Sequence, residues 1–216
     1  RPHMRAFHFS WIAFMCCFMM WFSIPSLIGT IKKPKCLDLN STICINCFNN
    51  STITSDIICR KCYPYDININ AGCGGIDLNK TQIIISNIVS VIGTIFIRIL
   101  IGPIIDIYGP KQIYSGLLIS ISIFGFIASL IYNFETLIII RILISLIGGS
   151  FVITSIWTMN MFDSNCIGLA SATTAGLGNA GAGIILQIMP LIFIGLHNLG
   201  YNNDEAWRIS LSLPPS

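Results

Sequence analysis

The sequence predicts an all-helical protein that crosses a membrane several times. Of its 216 residues, 54% are hydrophobic and only 10% are charged, and the mean hydropathy is +0.77. Soluble domains are less apolar than this. Several apolar runs are long enough for a helix to cross a bilayer, and they are too long and too evenly apolar for the strands of a barrel.

Five complete spans are predicted, and their connections differ greatly in length. The links after the second span have only a few residues, so consecutive helices there should be antiparallel neighbours. The spans cover about 9–28, 83–108, 113–132, 136–162 and 167–196, and a sixth begins near Ala206.

These spans divide the chain into three parts. Residues 1–29 form an amino-terminal tail with the first span, 30–81 form a polar loop, and 82–216 hold the second to fifth spans with the start of the sixth. A secretory signal is the alternative for the first span, but its apolar run is longer than a signal core and lacks a cleavage site of small residues. Because the chain begins with Arg1 and stops soon after the sixth segment begins, we expect a fragment.

The charge pattern excludes a nucleic-acid partner. The net charge is +3, and the basic residues form no stripe beyond Lys32, Lys33 and Lys35. The partner that the composition does predict is the lipid bilayer.

The loop 30–81 carries two signals of the outer side of a membrane. Disulfides and N-glycans both form in the lumenal or extracellular compartment, so the two signals agree. The disulfide candidates are Cys36, Cys44, Cys47, Cys59, Cys62 and Cys73, and the glycosylation candidates are Asn40, Asn49, Asn50 and Asn79.

Zinc is the alternative for the cysteines of this loop. Cys44 with Cys47 and Cys59 with Cys62 form two CxxC pairs, but the spacing between the pairs is short for a zinc ribbon. We therefore predict disulfides and no metal or cofactor. The loop is then extracellular, the amino terminus is cytoplasmic, and a plasma-membrane location follows.

Arg98 is the first candidate binding residue. It lies about eleven residues before Gly109, or about 16 Å along a helix, which is too far for its side chain to reach the interface comfortably. An arginine at this depth needs a partner, yet the acids outside the loop lie at segment ends or in links. A mobile oxyanion suits the guanidinium fork; a carboxylate from outside this chain is the alternative. Those acids are Asp106, Glu135, Asp163, Asp204 and Glu205.

Asn179 is the second candidate, and it lies among unusually small residues. At 3.6 residues per turn, small side chains surround it on its own helix face, so another backbone or a small ligand could come close to the amide. A helix-dimer interface is the alternative for such a stripe. The face comprises Ala172, Ala175, Gly176, Ala182, Gly183 and Leu186.

Two further features concern the membrane edges. The second span ends in the pattern GxxxDxxGPK, in which the glycines allow a sharp turn and Asp106 can meet Lys111 or a helix amino terminus. This pattern predicts a conformational latch made of Gly102, Asp106, Gly109 and Lys111. Arg141 lies near the start of the fourth span, so we expect it to reach the interface and anchor the helix.

The latch resembles the signature between the second and third helices of the major facilitator superfamily. More specifically, the chain resembles the amino-terminal half of its nitrate/nitrite porters. The resemblance rests on RAFHFSW at 5–11, the segment around Arg98, AGLGNAGAG at 175–183 and AWR at 206–208. The chain departs from the family's signature at Leu177, Ala180, Ile185 and Leu186.

The resemblance implies a transporter with two six-helix halves and a substrate site between them. Arg98 matches the arginine that grips nitrate, Phe151 matches an aromatic residue that walls the site, and Asn179 belongs to the nitrate signature. The glycines of that signature are Gly176, Gly178, Gly181 and Gly183. Nitrate or nitrite is then the expected substrate, and the chain is not expected to be an enzyme.

Several alternatives stay open at this point. The protein could carry another small anion, or it could be a non-transporting receptor that uses its cysteine-rich loop. Because no acid lies deep within a predicted span, the choice between proton symport and nitrate/nitrite exchange is also open.

Overall fold

The computed structural model describes residues 2–33 and 74–214, and all regular structure within these two ranges is helical. The helices are α1 (Pro2–Ile31), α2 (Lys80–Tyr108), α3 (Pro110–Ala128), α4 (Phe134–Ile144), α5 (Gly149–Met161), α6 (Ile167–Asn198) and α7 (Asn203–Ser212).

These helices form five spans that are long and apolar enough to cross a membrane. They are α1, α2, α3, α4 joined to α5, and α6. The predicted multi-pass, all-helical class is therefore confirmed. All six disulfide candidates and three of the glycosylation candidates, Asn40, Asn49 and Asn50, lie outside the described residues.

Local sequence explains how α2 begins and ends. At its start, the backbone N–H of Asn79 donates to the side-chain carbonyl of Gln82 at 2.9 Å, as in a capping box. At its end, Gly109 has a φ of 79°, and its N–H donates to the carbonyl of Ile105 at 2.8 Å. Pro110 then takes the first position of α3, where its missing N–H costs nothing. The glycine and proline together make the sharp turn predicted from GxxxDxxGPK.

Helices α1 and α6 pack with their backbones in close approach. A Cβ atom on Gly178 would overlap the ring of Phe14, and one on Gly181 would overlap the carbonyl oxygen of Met15. Phe14 is fully buried, so its ring has little room to move away. Small residues allow such close helix contacts in membranes.

The α-helix of the fourth span is interrupted. A 3-10 turn, Ser145–Gly148, separates α4 from α5. The turn fits tightly against α2, because a Cβ on Gly93 would overlap the hydroxyl of Ser145 and one on Gly148 would overlap Thr94. The Gly148–Gly149 pair has a low helix propensity, which helps to explain why the break occurs here.

The two ends of the predicted loop come together at the end of α1. Ile76 donates from its backbone N–H to the carbonyl of Ile31, and Asp77 donates to that of Lys33, both at 2.9 Å. The indole of Trp207 donates to the carbonyl of Gly74 at 2.8 Å. This segment therefore ties α1, α2 and α7 to one another.

Candidate functional site

Arg98 is held in place by two contacts with the fourth span. Its Nε atom donates to the carbonyl oxygen of Gly148 at 3.1 Å, and its guanidinium carbon lies 5.5 Å from the centre of the Phe151 ring. Neither terminal nitrogen has a hydrogen bond or an ion pair with any described residue. The guanidinium therefore presents an end with two unoccupied NH₂ groups.

The backbone break explains why Gly148 can accept this hydrogen bond. In a 3-10 turn each backbone hydrogen bond joins residues three apart, and its geometry is poorer than in an α-helix. A carbonyl oxygen in such a turn can therefore accept a hydrogen bond from another donor. Gly148 also has no side chain, which lets α2 approach closely enough for Arg98 to reach the oxygen.

Arg98 is exposed on the surface of the described helices rather than enclosed by them. This surface is also where Phe151 is exposed, to 38% of its area. Arg98 lies 18 residues after Lys80, the first residue of the 29-residue helix α2.

Phe151 connects Arg98 to the interior of the helix bundle. Its ring centre lies 5.9 Å from that of Phe14, which in turn lies 4.7 Å from that of Phe18. Phe14 packs against Gly178, next to Asn179 in the chain. Arg98, Phe151 and the signature helix are therefore linked through Phe14, a residue that the sequence pattern does not single out.

Asn179 itself lies on a different face from the residues that pack against α1. Its side chain is exposed and makes no hydrogen bond within the described ranges, including none to Arg98. A Cβ on Gly176 or Gly183, which share its face, would meet nothing within 4 Å. Of the four signature glycines, Gly178 and Gly181 pack against α1, while Gly176 and Gly183 leave an open surface.

Asp106, Gly109 and Lys111 of the predicted latch lie at or next to the turn between α2 and α3, and Gly102 lies inside α2. Asp106 and Lys111 are exposed and form no ion pair in the described part of the chain. A Cβ atom added to Gly102 would meet no described atom within 4 Å. The turn is formed, but no ion pair joins Asp106 to Lys111.

The position of Arg141 in the structure differs from the predicted one. The sequence predicts that it reaches the membrane interface, but only 3% of its side chain is exposed. Its Nε and Nη2 atoms are buried and have no hydrogen-bond partner among the described residues. The expectation is wrong because α4 packs against its neighbours along the face that holds Leu137, Arg141 and Ile144.

Comparison with known proteins supports the resemblance inferred from the sequence. The chain is 29% identical over 214 residues to "High affinity nitrate transporter 2.5" of Arabidopsis thaliana, covering 99% of this chain and 34% of that protein. It is 28% identical over 214 residues to "Nitrate transporter 2.1" of Chlamydomonas reinhardtii, covering 99% of this chain and 32% of the relative.

A bacterial relative shows the same similarity. "Nitrate/nitrite transporter NrtP" of Picosynechococcus sp. is 26% identical over 215 residues, covering 95% of this chain and 32% of the relative. No profile of a known protein family matches the chain, and no solved structure matches it significantly. The chain spans about a third of the length of the curated relatives it matches. Its similarity to nitrate transporters, expected from the sequence, is confirmed.

Proposed function

We propose that this chain is the amino-terminal half of a nitrate/nitrite transporter that works by alternating access. Its relatives carry names of nitrate transporters, and the similarity covers 99% of the chain in several of them. The five apolar spans fit a multi-pass membrane protein of this kind. The relatives are about three times longer, which leaves room for a second half.

The free end of Arg98 is the observation that carries the proposal. A guanidinium has five N–H donors, and the only one engaged by the described residues is that on Nε. The two terminal NH₂ groups can therefore bind two oxygens of a planar oxyanion at once. The Nε bond and the Phe151 ring hold this fork in a fixed direction.

Charge complementarity favours an anion over any other small solute. Arg98 is inside a predicted span, where an unpaired charge is costly and usually functional. Among the described acids, Asp106 is the nearest in sequence on the same helix, two turns away, and it forms no ion pair. A bound anion would neutralise the guanidinium when the site closes.

Asn179 and Phe151 have supporting roles in this proposal. The Asn179 amide, exposed and without a partner in the described residues, would donate to an oxygen of the anion and orient it. Phe151 would form one wall of the site. The open face around Gly176 and Gly183 would contact the second half, so that small residues allow the two halves to rock against each other.

The experiment measures nitrate uptake by the full-length protein reconstituted into proteoliposomes. We expect saturable nitrate uptake that Arg98→Ala abolishes. Nitrite, chlorate and formate are added as competitors of labelled nitrate. If the protein carries another small anion, one of these competitors should inhibit the uptake of label more strongly than the same concentration of unlabelled nitrate does.

Arg98→Lys is the matched variant, since it keeps the charge and removes the fork. A lysine is a point charge, so we expect weaker uptake than in the wild type even though the site stays cationic. Unchanged uptake in Arg98→Ala would refute the assignment of Arg98. Absence of anion uptake by the wild type, together with ligand binding by the isolated loop 30–81, would favour a receptor instead.

A further inference from the structure

A second cationic cavity lies between α1, α2 and α4, apart from the Arg98 site. Its volume is about 370 Å³, and it is lined by Trp21, Phe22 and Pro25 of α1, Asn87, Ser90 and Val91 of α2, and Arg141 of α4. No carboxylate of the described residues lines it. The cavity is therefore large enough for a small anion and carries a positive charge.

Arg141 lines this cavity, and two of its donor atoms are satisfied by no described residue. Only 3% of this residue is exposed, and its Nε and Nη2 atoms have no hydrogen-bond partner in the ranges 2–33 and 74–214. Glu135, on the same helix, is exposed in the first turn and does not pair with it. A buried guanidinium without a counter-charge is strongly disfavoured unless something else supplies that charge.

The neighbouring polar groups can donate to the same occupant. The Asn87 amide makes no hydrogen bond within the described helices. The Ser90 hydroxyl oxygen accepts a bond of 3.3 Å from the indole of Trp21, which leaves its hydrogen free to donate. A guanidinium, an amide and a hydroxyl around one cavity are suited to an oxyanion.

The cavity lies on the side of the membrane where the loop 30–81 joins the helices. Pro25 is in the last third of α1, Trp21 lies one turn before it, and Asn87 is in the first third of α2; these parts of the two helices lead to the paired segments at Ile31 and Ile76. Ser90 is eight residues before Arg98 on α2, or about 12 Å along the helix axis. The two arginine sites thus follow each other across the membrane.

A row of aromatic rings on α1 connects the two sites. The ring of Phe151 beside Arg98 is near that of Phe14, which contacts Phe18, and Phe18 lies 5.6 Å from Trp21 in the second cavity. These ring contacts form a series from the ring beside Arg98 to Trp21, which lines the second cavity with Arg141.

We propose that Arg141, Asn87 and Ser90 form a second binding site for the transported anion. The anion would occupy this site on its way between the loop side of the membrane and Arg98. The proposal rests on the proposed function for the identity of the anion. The site would gather nitrate by charge at the entrance and pass it on when the central site is free.

The first test is Asn87→Asp in the protein at its natural length. The new carboxylate would pair with Arg141 and take the place of the anion, so the KM for nitrate should rise about tenfold or more while kcat stays near that of the wild type. The control is Gln82→Glu, which adds the same charge near the same end of α2 and keeps the oxygen that accepts from Asn79. Its KM should be unchanged.

A binding measurement tests the cavity independently of transport. In Arg98→Ala, which lacks the central site, nitrate should still raise the thermal unfolding temperature relative to chloride. Adding Asn87→Asp should remove this rise, as should Arg141→Gln if the aspartate variant does not fold.

The outcomes separate the second site from the proposed function. Nitrate uptake by the wild type with an unchanged KM in Asn87→Asp would overturn the second site and leave the transporter assignment standing. The absence of nitrate stabilisation in Arg98→Ala would also overturn it, as would a structure that pairs Arg141 with a carboxylate or a lipid phosphate.

Discussion

The Nε atom of Arg98 donates a hydrogen bond of 3.1 Å to the carbonyl oxygen of Gly148 in the neighbouring span. This bond exists because a 3-10 turn and a residue without a side chain coincide in the fourth span. It fixes the direction in which the remaining donors of the guanidinium point. The orientation of the candidate site therefore depends on a backbone carbonyl of the neighbouring span.

Gly148→Ala should disturb this arrangement. The added Cβ would overlap Thr94, so we expect α2 to move and the free energy of unfolding to fall by about 1–3 kcal/mol. The KM for nitrate should rise as Arg98 loses its acceptor. Thermal unfolding in detergent and uptake kinetics measure the two effects.

The control for that variant is the adjacent Gly149→Ala. Its Cβ would lie 3.2 Å from the end of the flexible Ile101 side chain, which can shift. We therefore expect little change in the unfolding temperature or the KM. Equal losses in both variants would mean that the glycine pair serves the turn as a whole and not the contact with Arg98.

Two pairs of glycines in α6 should respond differently to alanine. Gly178→Ala and Gly181→Ala would place a methyl group against Phe14 and the Met15 backbone, so each should destabilise the protein by about 1–3 kcal/mol. Gly176→Ala and Gly183→Ala meet nothing within 4 Å and should be neutral or stabilising by up to about 1 kcal/mol.

Uptake measurements on Gly176→Ala and Gly183→Ala test a separate role of these two glycines. If the open face of Gly176 and Gly183 contacts the second half, their alanine variants should slow uptake without lowering the unfolding temperature. Normal uptake in both would show that this face has no such role.

Arg208 should be important for stability and unimportant for substrate affinity. Its Nη1 atom donates to the Ser129 carbonyl at 2.8 Å, and its guanidinium lies between the rings of Tyr132 and Trp207. Arg208→Ala should lower the free energy of unfolding by about 2 kcal/mol and leave the KM unchanged.

Asp204→Asn is the matched variant for Arg208. Asp204 pairs with Arg208 at 2.9 Å, but 45% of its side chain is exposed, so the loss should be below about 1 kcal/mol. A loss as large as that of Arg208→Ala would indicate that the ion pair, and not the contact with the Ser129 carbonyl and the two rings, holds α7 in place.

Asp106→Asn tests the proposed latch. Asp106 is exposed and unpaired in the described residues, so the substitution should not change the unfolding temperature. If Asp106 contacts another part of the transporter in one state of the cycle, the maximal rate of uptake should fall while the KM changes little. Wild-type rates in this variant would exclude the latch.

The spans were predictable because bilayer thickness sets a minimum length for an apolar helix, and composition reports that length directly. Their ends were less certain: α1 extends to Pro2–Ile31, and α3 ends at Ala128, before the predicted limit. Polar residues such as His3 and Lys80 can continue a helix beyond its apolar part, so hydropathy places the ends of the first span inside the true bounds.

Other features depend on packing that one sequence does not show. The pattern places Asn179 on the correct helix and among small residues, but periodicity does not tell which of two adjacent small-residue faces meets α1. The partner of Gly178 is Phe14, far away in the chain. The burial of Arg141 is likewise invisible in the sequence, because a position near a span end suits both an interfacial anchor and a buried group.

The pairing of Ile31 with Ile76 and of Lys33 with Asp77 has a practical consequence. Since the chain leaves the helices and returns to them at one point, residues 34–73 can be exchanged for a short glycine–serine bridge or an epitope tag without straining α1 or α2. An antibody applied to intact cells would then report the sidedness of the whole protein, and the shortened version would offer a simpler particle for imaging.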